Sequence, residues 1–200
     1  MNQELYSKIS DALVDDGYII IKDALSSKLT SKLLQFSKNE TNYKNAGISK
    51  SSDFHIDDTK RRDKTLWIDE DNGVQSKYLS FTNGLREYLN SSLYLGLTYY
   101  EAHFAIYENG DFYEKHLDAF KNSKNRVVTT VFYLNEEWRE EDGGELVIYN
   151  EDDKIIKTVI PNAGTLIVFL SDKFPHEVLK SKAKRHSIAG WFRVDRVWND

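Results

Sequence analysis

The sequence has no cysteine, and this absence removes several classes of protein at once. Disulfide bridges and thiolate metal ligands are excluded, so any metal site must use histidine and carboxylate ligands. An excess of basic residues is also missing, because 27 Lys and Arg stand against 32 Asp and Glu, which gives a formal net charge of −5. This balance argues against a general nucleic-acid-binding surface. We therefore expect no nucleic acid among the partners.

Long hydrophobic runs are missing too. No apolar stretch approaches the ~18 residues that are needed to span a bilayer. The opening residues, MNQELYSKISDALVDDGY, are amphipathic and acidic, and they lack the basic and apolar regions of a secretory signal. The sequence therefore predicts a cytoplasmic protein that has no membrane partner.

The composition that is present is 40% hydrophobic and 30% charged, as in a soluble globular protein, and 200 residues suit one domain. Helical patterns come first, over residues 3–16, from Ser26 or Ser27 onwards, and over roughly 75–91. A polar stretch over 38–63 is typical of a long exposed loop. Six β-like runs follow, over 99–108, 126–135, 145–150, 154–160, 165–170 and 187–194. Helices followed by short strands predict an α+β fold, a β-sandwich or barrel buttressed by helices.

His116, Asp118 and His176 are the candidate metal ligands. Residues i and i+2 of a strand share a face, so His116 and Asp118 can reach one ion, while Leu117 is expected to point the other way into apolar packing. Two imidazoles and one carboxylate form the facial triad of non-heme iron(II) oxygenases. A His-x-Asp pair by itself also arises by chance, so the pattern needs further support.

That support comes from residues suited to a dicarboxylate cosubstrate that chelates iron through its 2-oxo acid end. Arg185 offers a planar fork for the far carboxylate, and Ser187 shares its strand face. Tyr133 and Tyr107 can donate from their phenols, and Leu146, after Gly143-Gly144, can wall the cosubstrate. Each has a plainer alternative: a solvated arginine in a basic run, core tyrosines, and a tight turn before a core leucine.

The motifs taken together resemble a known family. YENGDFYEKHLD (107–118), VFYLNEEW (131–138), DGGEL (142–146) and SDKFPHEVLKSKAKRHSIAGWF (171–192) resemble the iron(II)/2-oxoglutarate-dependent dioxygenases of the prolyl 4-hydroxylase type. ALVDDGYIIIKD (12–23) and RRDKTLWID (61–69) resemble the subgroup that contains the hypoxia-inducible factor prolyl hydroxylases and their bacterial relatives.

This resemblance implies a double-stranded β-helix (jelly-roll) core over 97–195, with N-terminal helices packed on one sheet, all within a single domain, 1–200. Residues 1–96 would be a supporting helical and strand region with a mobile loop at about 41–63. It implies iron(II), 2-oxoglutarate and dioxygen as cofactors, with ascorbate as a further candidate. The implied residues are His116, Asp118 and His176 for iron; Arg185, Tyr133, Tyr107, Leu146 and Ser187 for the cosubstrate; and Arg126, Asp63 and Trp191 for the substrate.

The resemblance also implies a protein substrate that presents a proline loop, with elongation factor Tu as the candidate for a bacterial chain. Three departures concern the substrate: Arg61-Arg62-Asp63 replaces an RGD-like tripeptide, Ala189 stands where animal relatives carry a hydroxyl residue, and the connection between His116 and Arg126 differs slightly. Hydroxylation of a free amino acid or another small metabolite is the alternative, and a non-enzymatic binding or sensing module is a further one.

Overall fold

The computed structural model describes residues 2–47, 57–68, 73–119 and 125–195. Within these ranges the helices are α1 (Asn2–Asp15), α2 (Ser27–Asn39) and α3 (Gln75–Leu93), with a short 3-10 turn at Glu140–Asp142. The strands are β1 (Tyr18–Ile21), β2 (Lys44–Asn45), β3 (Lys64–Trp67), β4 (Tyr99–Tyr107), β5 (Tyr113–His116), β6 (Arg126–Tyr133), β7 (Leu146–Tyr149), β8 (Ile155–Val159), β9 (Leu166–Leu170), β10 (His176–Val178) and β11 (Arg185–Arg193).

The strands form two antiparallel sheets. The larger sheet has the order β1-β9-β6-β11-β4-β3-β2, and the smaller has the order β5-β10-β7-β8. Strands β4 to β11 divide equally between the sheets, so four lie in each, and the N-terminal strands extend the larger sheet. The predicted α+β class and jelly-roll core are confirmed.

Each face of the larger sheet has its own hydrophobic core, because side chains alternate along a strand. On β6, Val128 and Phe132 join the outer core, where α1, α2 and α3 cover the sheet. Val131 and Tyr133, one residue out of step, face the smaller sheet. Helices therefore cover one face, as predicted, and the space between the sheets is left for the site.

Local signals in the sequence account for the helix ends. The Ser26 hydroxyl accepts a hydrogen bond from the Leu29 N–H at 3.3 Å, so Ser26 is the N-cap of α2. Gly17 ends α1 with φ of 79°, a left-handed conformation that suits glycine. No helix of the described ranges is long and apolar enough to cross a membrane.

Two local predictions are wrong. Strand β5 ends at His116, so Asp118 follows the strand instead of sharing it. Leu117 is 39% exposed and lines the mouth of a cavity, whereas apolar packing was expected. The polar stretch 38–63 is only partly described: β2 interrupts it, Asp63 is buried, and residues 48–56 of the predicted mobile loop lie outside the described residues.

Candidate active site

His116, Asp118 and His176 converge although they are far apart in sequence. Strand β10 pairs with β5 in a register that places His176 opposite His116, and the two imidazole centroids are 4.4 Å apart. Asp118 Oδ1 lies 3.6 Å from His116 Nε2, and Asp118 Oδ2 lies 3.5 Å from His176 Nε2. One ligand atom from each residue lies within 4.8 Å of the others, so the three side chains can hold one metal ion.

Hydrogen bonds orient these three side chains. His116 Nδ1 is 2.7 Å from the Glu114 carbonyl oxygen, and His176 Nδ1 is 3.0 Å from that of Phe174. With Nδ1–H donating to a carbonyl, each ring presents Nε2 as the ligand atom. The Thr129 hydroxyl donates to Asp118 Oδ2 at 2.9 Å and so holds the carboxylate in place.

Burial and charge set the protonation states of the buried ligands. Burial lowers the pKa of the His176 imidazole to about 4, against the opposing effect of Asp118. Burial disfavours the ionised form of Asp118, but the neighbouring histidines outweigh it and hold the pKa of that carboxyl well below its usual range. A carboxylate and a neutral imidazole are the forms that bind a metal.

Arg185 closes one end of the site. Its side chain is 1% exposed, and within the described ranges no carboxylate pairs with it. Its Nη1 donates to Ser187 Oγ at 3.2 Å, whereas its Nε is buried without a partner. A buried cation without a counter-ion is costly, so this end is built to receive an anion.

Aromatic rings surround the guanidinium. Arg185 Cζ lies 4.7 Å from the ring centroid of Tyr107 and 4.9 Å from that of Tyr133. The Tyr133 hydroxyl is buried without a hydrogen-bond partner. Burial raises the pKa of the Tyr133 phenol, which therefore remains a donor. Tyr107, Leu146 and Ser187 line the cavity itself, and Tyr133 contacts the Arg185 guanidinium that lines it.

Gly144 allows Arg185 to pack so closely. Its φ is 69°, and a Cβ added there would lie 2.9 Å from Ser181 Oγ and 3.0 Å from Arg185 Cδ. Any larger residue at this position would be strained and would press on the guanidinium stem. Gly144, which precedes Leu146 by two residues, therefore accommodates the arginine stem.

The residues predicted to contact substrate lie in the wall of the cavity. Arg126 Cζ stacks 3.7 Å from the Trp191 ring centroid, and Glu101 holds it there with an Nη2–Oε1 distance of 3.0 Å. Asp63 is 1% exposed, and its carboxylate accepts two hydrogen bonds from the Arg61 guanidinium, at 2.8 and 2.7 Å. Arg126, Asp63 and Trp191 all line the same cavity as the triad, with a volume of about 1110 Å³.

The sequence assigned no role in this site to four residues that the structure places there. Tyr113 stacks on His116 with ring centroids 3.7 Å apart, Thr129 orients Asp118, Arg61 pairs with Asp63, and His103 lines the cavity wall. Thr129 and His103 share strand faces with Tyr133 and Tyr107, so strand alternation was a signal that could have found them. The sequence drew attention to Arg61 only as part of the altered tripeptide Arg61-Arg62-Asp63, and no comparable signal marked Tyr113.

Comparison with known proteins places this geometry in a family. The profile of the 2OG-Fe(II) oxygenase superfamily matches residues 102–193. Human prolyl hydroxylase EGLN3 is 34% identical over 155 residues, which cover 74% of this chain and 62% of that protein. A hypoxia-inducible factor prolyl hydroxylase of Caenorhabditis elegans is 38% identical over 91 residues, 44% of this chain and 12% of that protein. The chain thus spans less than two thirds of the length of these curated relatives.

Solved structures match over nearly the whole chain. A prolyl hydroxylase from Trichoplax adhaerens, in complex with a peptide fragment of the hypoxia-inducible factor oxygen degradation domain, has a TM-score of 0.84 and 27% identity, covering 96% of this chain and 90% of that one. A Pseudomonas putida prolyl-4-hydroxylase has a TM-score of 0.87 and 34% identity, covering 96% of this chain and 100% of that one. Since that bacterial protein is matched along its whole length, the chain belongs to the 2OG-Fe(II) oxygenase superfamily.

Proposed function

We propose that this chain is an iron(II)- and 2-oxoglutarate-dependent dioxygenase that hydroxylates a prolyl residue of a protein. One observation carries the proposal: a single cavity joins the His116, Asp118 and His176 cluster to the buried cation of Arg185, which has no counter-ion among the described residues. A site of this kind suits a ligand that binds metal at one end and carries a carboxylate at the other.

The residues fit the implied cofactors. Two imidazoles and a carboxylate form a donor set that iron(II) oxygenases use, and three ligands leave positions for other groups. The unpartnered Arg185 Nε and Tyr133 hydroxyl are donors that a carboxylate would satisfy. When bound, iron(II) with 2-oxoglutarate and dioxygen supplies the oxidation of an unactivated C–H bond, with decarboxylation of 2-oxoglutarate to succinate and carbon dioxide.

The side chains of this site would bind and orient the cosubstrate and the substrate, and would shield the cosubstrate from water. Arg185 and Ser187 would hold the far carboxylate of the cosubstrate, with Tyr107 and Tyr133 stacked beside the guanidinium. Leu146, 2% exposed, would wall the cosubstrate and exclude water from it. Arg126 and Trp191 would contact the substrate from the cavity wall. Asp63 would hold the Arg61 guanidinium in that wall through their ion pair.

A protein substrate is supported by the size of the cavity and by the relatives. A volume of about 1110 Å³ exceeds what small-molecule sites commonly need, so space remains beyond a five-carbon cosubstrate. The Trichoplax relative was solved with a peptide of a protein substrate. We propose elongation factor Tu as the candidate partner, from the resemblance of the chain to bacterial members of this subgroup.

The test is succinate formation by the purified chain with iron(II) and 2-oxoglutarate, with and without ascorbate. Elongation factor Tu, a hypoxia-inducible factor peptide and free proline are offered in parallel, and peptides are searched by mass spectrometry for the gain of one oxygen atom. We expect oxygen on a proline of a protein, and none with Asp118→Ala. Turnover of free proline with no oxidised protein would instead establish the small-metabolite alternative.

A further inference from the structure

His103 is a buried imidazole in the cavity wall that takes no part in the proposed iron site. It lies on β4, is 5% exposed, and is separate from the cluster of His116, Asp118 and His176. Its ring centroid is 5.2 Å from that of Trp67 and 5.4 Å from that of Trp191. Two tryptophans therefore hold the imidazole in one orientation.

Strand register places His103 beyond the cosubstrate. Strand β11 runs antiparallel to β4, with Arg185 opposite Tyr107 and Ala189 opposite His103. Four residues of strand separate these two positions, which corresponds to roughly 14 Å. A five-carbon dicarboxylate anchored on Arg185 is much shorter than this. His103 therefore faces the part of the cavity that is left for the substrate.

The hydrogen bond of the ring defines what it can offer to a ligand. Nδ1 is 3.3 Å from the Phe104 carbonyl oxygen, which can only accept, so the proton belongs on Nδ1. Burial lowers the pKa of His103 to about 4, against the opposing charge of Asp63, so the ring is neutral near pH 7. Nε2 then carries a lone pair. Among the described residues none donates to Nε2, and that atom remains accessible from the cavity.

We propose that His103 Nε2 accepts a hydrogen bond from the main-chain N–H of the residue that follows the target proline. This inference rests on the proposed function. A prolyl residue has no N–H of its own, so the next residue offers the donor nearest to the ring on that side. Free proline carries a carboxylate at that position, so a carboxylate oxygen would face His103 Nε2, and two hydrogen-bond acceptors without a donor repel each other. His103 is thus a specificity-determining residue that selects peptidyl proline over the free amino acid.

The test uses two probes that differ in this one donor. N-acetylproline N-methylamide has a single N–H, after the ring, and N-acetylproline methyl ester has none. Binding of each to the chain loaded with iron(II) and 2-oxoglutarate is measured by NMR titration in the absence of oxygen. We expect the wild type to bind the amide about three- to tenfold more tightly than the ester, as one net hydrogen bond predicts.

Variants assign the preference to His103. His103→Leu should bind both probes equally, and His103→Gln, which keeps an acceptor oxygen, should restore the preference for the amide. His186→Gln is the matched control, because His186 is also buried and has its pKa lowered to about 4, but it contacts Ser37 on the other side of the sheet. That variant should retain the wild-type preference.

The outcomes separate this inference from the proposed function. Equal binding of amide and ester by the wild type, or an amide preference that survives in His103→Leu, overturns the role of His103 alone. If neither probe binds the wild type, the prolyl function itself is contradicted, and the assignment of His103 is lost with it.

Discussion

Arg185 and Asp118 are opposite charges buried in one cavity, and different neighbours hold each of them. Asp118 accepts a hydrogen bond from Thr129 and lies beside two imidazoles. Arg185 has aromatic rings and a serine hydroxyl around it, without a carboxylate among the described residues. A buried charge is stable when it is paired. The cavity is therefore suited to bind a cation beside Asp118 and an anion beside Arg185.

Replacing Arg185 by alanine should chiefly affect cosubstrate binding. Loss of one partner of a buried charge pair costs about 2 kcal/mol or more, so we expect Arg185→Ala to raise the KM for 2-oxoglutarate at least about tenfold. Succinate formation over a 2-oxoglutarate titration measures this. Lys184→Ala is the control, because Lys184 is its neighbour but 53% exposed. An unchanged KM in Arg185→Ala would remove the residue from its assigned role.

Thr129 is a positioning residue for the metal site. Thr129→Val removes the donor to Asp118 Oδ2 while keeping the volume. Partners of metal ligands typically contribute about 10- to 100-fold in affinity, and we expect a loss of that order for iron(II) or cobalt(II), measured by titration calorimetry. Thr129→Ser keeps the hydroxyl and should recover most of the affinity. If the valine variant bound metal like the wild type, the hydrogen bond would have no such role.

At the scale of elements, short strands and turns position the side chains of the site. Strand β10 has three residues, yet its register with β5 sets His176 against His116. Cross-strand neighbours in such a pair lie about 5 Å apart, which is the spacing that two ligands of one ion need. The turn before β7 matters equally, because Gly144 lets Arg185 approach.

The turn at Gly144 gives a prediction with a built-in control. Gly144→Ala adds a strained φ and a clash with Arg185, so we expect a lower free energy of unfolding by about 1–3 kcal/mol and a raised KM for 2-oxoglutarate. Gly96 has a similar φ of 65°, but nothing lies within 4 Å of an added Cβ. Gly96→Ala should therefore lose stability without any change in KM. Equal KM values in the two variants would contradict the packing argument.

At the scale of the whole molecule, the helices and the site occupy opposite faces of one sheet. Along β11, Arg185 and Ser187 face the cavity, whereas His186 between them turns to α2, where its Nδ1 is 2.8 Å from Ser37 Oγ. His186 lines a second, smaller cavity on that side. Substitutions on the helical face should thus change stability more than cosubstrate binding.

The protonation of His186 links stability to pH. Burial lowers its pKa from 6.5 to about 4, so between these values the unfolded chain binds a proton that the folded chain does not. The contribution of His186 to stability is therefore complete above about pH 6.5 and is lost as the pH drops towards 4. His186→Gln should make the free energy of unfolding less dependent on pH in this range, by the uptake of up to one proton on unfolding. Urea unfolding at several pH values measures this dependence. His103 and His176 shift in the same direction, so part of the dependence should remain.

Patterns within short stretches of sequence determined much of this protein. The Ser26 cap, the order of helices before strands, the His-x-Asp pair and the alternation that turns Arg185 and Ser187 to one face all depend on neighbours in the chain. The motifs around these residues also made the family recognisable, because the cofactor-binding residues of that family occur in characteristic local sequences.

The tertiary structure decided what depends on distant contacts. Strand register brought His176 to His116, and antiparallel pairing of β4 with β11 set His103 beyond Arg185. It left Leu117 at the cavity mouth, because β5 ends before Asp118 and the alternation expected there does not continue. The tertiary structure also leaves Arg185 without a counter-ion among the described residues. Absence of a partner depends on everything that folds around a residue, so no local pattern could predict it.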